Sequence, residues 1–103
     1  VASDLQAAKD EYEKTLAAAR ENLREVIQDA EKEYVEEREA IKAKYIKAGM
    51  PIPEEYEKAM LEAQDKNYKT VQAAQEEYDK VYKVAWEKYL KVAKAAQEES
   101  NAN

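Results

Sequence analysis

The chain has 103 residues, of which 39% are charged and 45% hydrophobic, with one Gly, two Pro and a formal net charge of −6. That length fits one domain, and a composition so rich in helix formers and so poor in turn formers excludes a β-sandwich or barrel. Eight Tyr and one Trp at regular spacing set it apart from a disordered chain. The absence of Cys and His removes disulfides, thiolate metal sites, the commonest general base and the imidazole ligand.

Ser3 followed by Gln6 makes a capping-box pattern, in which each side chain satisfies an orphan N–H at a helix start. A first helix is therefore expected over about 4–48, since no Gly or Pro interrupts Asp4 to Ala48 and Ala, Glu, Lys and Arg dominate. Gly49 suits the left-handed position that ends a helix, and Met50-Pro51-Ile52-Pro53 continues a turn over 49–53. Pro53 fits the first position of a second helix, with Glu54 and Glu55 facing the positive end of its dipole. That helix is expected over about 53–99, with a frayed tail at 100–103. The fold class is thus all-α: two long antiparallel helices, each of about 69 Å, forming a helical hairpin as a single domain over 1–103.

An 11-residue repeat supports the hairpin. Tyr12, Tyr34, Tyr45, Tyr56, Tyr78 and Tyr89 all stand at multiples of 11 from one another, with Leu23 and Asn67 filling the gaps. The seam of the first helix reads Leu5, Ala8, Tyr12, Leu16, Ala19, Leu23, Ile27, Ala30, Tyr34, Arg38, Ile41, Tyr45; that of the second reads Tyr56, Met60, Ala63, Asn67, Val71, Ala74, Tyr78, Tyr82, Ala85, Tyr89, Ala93, Ala96. Eleven residues over three turns predicts nearly straight helices or a slight right-handed supercoil. Folding at the Pro loop pairs the seams in layers whose residue numbers sum to 101, so that large side chains mostly meet small ones.

Two polar residues interrupt the seam. Asn67 opposite the Tyr34 hydroxyl is a register-setting candidate, and Arg38 is expected to lay its stem along the seam and reach water. A third of the seam is Ala, which offers little apolar area to two long helices, and such helices usually gain burial by oligomerising. Near the open end Val81, Val84, Trp86, Leu90 and Val92 widen the apolar arc, with Ala17 and Ala18 alongside. These seven residues are the candidate interface for a second hairpin, giving a four-helix bundle or larger oligomer. The bland alternative lays Trp86 across the edge of its own hairpin.

The charges are patterned too. Six Glu or Asp to Lys pairs at i, i+4 on the second helix, among them Glu62–Lys66 and Asp65–Lys69, predict a solvated, self-supporting face. Glu21, Glu25, Asp29, Glu33 and Glu37 stack like charges along the first helix, an acidic stripe open to a basic partner. It lacks the converging oxygens and EF-hand spacing of a Ca²⁺ or Mg²⁺ site, so no metal and no cofactor are expected. Lys80, Lys83, Lys88, Lys91 and Lys94 gather among Tyr82, Trp86 and Tyr89, but the net charge and the acidic neighbours argue against nucleic acid or a membrane surface as partner. No apolar run approaches a membrane span, and no leader pattern follows Val1; the default expectation is cytoplasmic.

The Glu/Lys/Ala padding, the single Gly, the lack of Cys, His and Phe, and the loop Ala48-Gly49-Met50-Pro51-Ile52-Pro53-Glu54-Glu55 resemble a computationally designed (de novo) helical hairpin, a hendecad coiled-coil protein. The resemblance covers the whole chain and rests on style, and the Tyr and Ala seam departs from the Leu-rich cores of such proteins. A natural coiled-coil protein, such as a phage or bacterial structural component, is the alternative. The resemblance implies a scaffold without enzymatic activity, and no nucleophile, base or carboxylate pair converges in the sequence pattern to suggest otherwise. Two functions compete: a self-assembling structural module, and a protein-binding module that presents an acidic or apolar face to another helical protein. The register itself is testable, because cysteines introduced at Ala19 and Tyr82, or at Ala30 and Val71, should crosslink on oxidation. Failure of both pairs would rule it out.

Overall fold

The computed structural model describes residues 2–102, so Val1 and Asn103, the outermost residues of the expected domain and tail, lie outside the described residues. It consists of two helices packed against each other as a hairpin, α1 at Ala2–Tyr45 and α2 at Glu54–Ala102, with no strand among the described residues. The all-α hairpin expected from the residue pattern is the observed fold.

The helix ends differ from expectation, each for a local reason. Ser3 lies inside α1, and the Gln6 amide donates forward to Asp10 Oδ1 at 2.9 Å, so it serves an i, i+4 pair and not a capping box. At the other end α1 stops at Tyr45, short of the expected 48. Its final backbone bond runs from Ile46 N to Lys42 O at 2.9 Å, and the Lys47 ammonium donates to the Ala43 carbonyl at 3.3 Å. A lysine reaching back to a last-turn carbonyl satisfies one of the groups a helix end leaves orphaned, and Lys42 and Lys44 add favourable charge at the negative pole. Gly49 then occupies a tight turn closed by Met50 N to Lys47 O at 3.1 Å, with φ of 76°, a conformation that a side chain would disfavour. Pro53 accepts from Tyr56 N at 3.1 Å and directly precedes α2, whose first turn holds Glu54, Glu55 and Glu57. α2 continues to Ala102, past the expected end near 99, with no Gly or Pro to break it.

Burial follows the seam. Every predicted seam position is buried or half-buried except Tyr82, which is 43% exposed. Among the described residues the buried positions are Leu16, Ala30, Ala63 and Ala85, and no large side chain is completely buried. Three of these four are Ala, the residue that lets two helices approach closely but contributes least apolar area.

The packing divides into two compact units. One combines the chain up to Leu23 with the chain from Glu76 onward; the other comprises residues 24–75, with the turn. In the chain-end unit, Leu16 at 4% exposure is the one large apolar residue among those four buried positions. Leu16→Ala should therefore destabilise the protein by about 2–3 kcal/mol, whereas Leu61→Ala, at a position 64% exposed, should change stability by less than about 0.5 kcal/mol. Denaturant titrations of the two variants check this contrast.

Candidate interaction surface

In the chain-end unit, the helical spacing of Tyr78, Tyr82, Trp86 and Tyr89 brings their rings to one flank of α2. Tyr78 stands 6.4 Å from Tyr82 and Trp86 5.8 Å from Tyr89, centroid to centroid. Tyr12 enters from α1 and touches three of these rings, at 5.6 Å from Tyr89, 5.7 Å from Trp86 and 6.4 Å edge-on from Tyr82. The Tyr12–Tyr89 contact is one of the layers expected from the repeat. Partial desolvation, followed by a hydrogen bond shared with Tyr82, raises the Tyr12 hydroxyl above the ordinary tyrosine value.

A groove of about 420 Å³ runs along the other flank of the same unit. Ala8, Glu11, Tyr12 and Thr15 of α1 form one wall, and Val81, Val84, Ala85, Lys88, Tyr89 and Val92 of α2 form most of the other, with Glu77 and Lys80 at the rim. Lys88 closes an ion pair with Glu11 across it at 2.6 Å.

The seven candidate interface residues do not share one surface. Val81, Val84 and Val92 meet in the groove, while Trp86 lies on the ring cluster, 40% exposed, across the edge of its own hairpin. Leu90 is half-buried, Ala17 and Ala18 are exposed, and none of the three lines the groove. The reason is angular: at about 100° per residue, Val84 and Trp86 point to opposite sides of α2, so a widened apolar arc is really two flanks separated by the seam.

In the turn unit, Asn67 donates to the carbonyl of Ala30 at 3.0 Å, rather than to the Tyr34 hydroxyl. The contact still ties α2 to α1 at one position, the role expected of a polar seam residue, but through backbone. The Tyr34 ring is instead covered by the Arg38 guanidinium, 5.5 Å from its centroid. Arg38 is half-buried along the seam as expected, with its Nε buried and unpartnered.

The acidic stripe is partly neutralised within the molecule. Lys66 crosses from α2 to both Glu33 and Glu37, at 2.8 Å each, so the pairing with Glu62 expected for it gives way to a bridge between like charges. Asp65–Lys69 forms as expected at 2.9 Å. Glu21, Glu25 and Asp29 are exposed on α1. These crossings were foreshadowed by the register: Lys66 with Glu33 and Lys88 with Glu11 fall two short of the layer sum, and Lys66 with Glu37 two beyond it, as residues flanking a seam should. Among the described residues no acidic cluster has a metal-holding arrangement, and no helix is long and apolar enough to cross a membrane.

Hydrogen bonding and the charge of Lys66 hold the Glu33 carboxyl below its ordinary value, and the two carboxylates raise Lys66 above its own. A carboxyl with a depressed folded value contributes stability that is present above its unfolded value of 4.5 and is lost as pH falls through the folded value. The lysine contribution is present below 10.5 and lost as pH rises beyond it. Lys66→Ala should accordingly lower the melting temperature at neutral pH and low salt, and the difference from the parent should shrink below pH 4 and in 1 M salt. Paired melting curves across pH and ionic strength test this. Compared with protein-family models, with curated proteins and with solved structures, the chain matches none.

Proposed function

We propose that the hairpin is a non-enzymatic structural module that assembles with further copies of itself. The observation that carries this reading is the shortage of interior: among the described residues four positions are buried and no large side chain is completely buried, and Val84, Trp86 and Tyr82 stay exposed in one unit. Long helices that bury one narrow stripe generally complete their burial at an interface. The groove lined by Val81, Val84 and Val92 supplies an apolar surface for that purpose.

The competing role, a module that offers its acidic face to another helical protein, is weakened by the Lys66 bridge. That bridge already occupies Glu33 and Glu37, which form the far end of the stripe. Sedimentation of the pure protein at micromolar concentration distinguishes the two. A defined homo-oligomer is expected. A well-folded monomer would refute self-assembly, and a poorly stable monomer that gains helix on addition of a partner would establish the binding role instead.

A further inference from the structure

The groove of the chain-end unit carries two carboxylates and two ammonium groups, Glu11 and Glu77 with Lys80 and Lys88, around an apolar floor. Such a balanced rim gives no advantage to a strongly acidic or strongly basic partner. It does fit a surface with the same pattern running in the opposite direction. We infer that the groove receives α2 of a second copy, packed antiparallel about a two-fold axis that passes between Val81 and Val84.

The spacing along α2 makes this flank self-complementary. An axis midway between Val81 and Val84 sets Val81 against Val84 of the other copy, and the reverse, so two valine contacts form from one pairing. The same axis sets Glu77 against Lys88 of the other copy, again twice. Contacts repeated in this way are what a two-fold interface requires, since each patch must complement itself.

Lys88 already holds Glu11 at 2.6 Å, but one ammonium has three donors and can serve two carboxylates. Lys66 does so in the turn unit, at 2.8 Å to each of Glu33 and Glu37. Burial of the valines is available because Val84 is 64% exposed in the single hairpin. This inference rests on the self-assembly reading and adds to it the surface, the helix and the direction of pairing.

The test uses the full chain. Val84→Glu places a charge against Val81 of the other copy, and Glu77→Lys sets like charges face to face. Each should weaken the dissociation constant at least about tenfold in sedimentation at low salt, with unchanged helicity by circular dichroism. Because the protein has no cysteine, a mixture of Val81→Cys and Val84→Cys copies should yield an oxidised heterodimer, whereas Val35→Cys, exposed on the turn unit, should not. An oligomer that persists in both charge variants and gives no crosslink would overturn the groove pairing while leaving self-assembly intact. A monomeric parent protein would overturn both. Uptake of a hydrophobic dye by that monomer, abolished by Val84→Glu, would reassign the groove to a small apolar ligand.

Discussion

Everything in this hairpin depends on how little each helix can bury. A lone helix pair shields one stripe on each partner, and here the innermost stripe positions are largely alanine. Alanine permits close approach and costs no side-chain entropy on ordering, but it removes little apolar surface from water. Larger side chains are therefore pushed outward, and the seam tyrosines other than Tyr82 lie half-buried. Tyrosine tolerates that position better than leucine does, because its ring packs while its polar tip stays hydrated.

The flanks take on the work that a thicker core would do elsewhere. In the chain-end unit Tyr12 inserts among three aromatic rings of α2, and in the turn unit Lys66 and Asn67 reach across to α1. None of these contacts is deeply buried, and exposed ion pairs individually contribute little. Their value lies in direction: an amide bonded to one particular carbonyl, or a lysine spanning two particular carboxylates, penalises a slipped pairing more than it stabilises the correct one.

The architecture was readable from the residue pattern because two independent signals agree. The Pro-containing turn marks the fold point, and the 11-residue spacing of tyrosines marks the faces that meet; the seam drawn from them is covered at every position but Tyr82. Helix ends were less legible, since Lys47 competes with Gly49 as a terminator through a side-chain contact that composition does not reveal. The groove was legible only in part, because apolar width along a sequence does not say on which side of a seam each residue falls: Val81, Val84 and Val92 line it, while Trp86 falls on the ring cluster. The cross-helix partners of Lys66 and Lys88 follow from the same register applied to the positions that flank the seam.

The placement of Trp86 also determines how the molecule can be observed. It is the single indole in the chain, and its ring lies within 5.8 Å of both Tyr12 and Tyr89. Light absorbed by Tyr12, on the opposite helix, passes into the indole by energy transfer, so that part of its emission reports whether the two helices are together in that unit. Residues 24–75 hold no indole, so that emission carries no local report on them. The protein thus contains a built-in optical gauge for one of its two compact units, against which amide exchange over the whole chain can be compared.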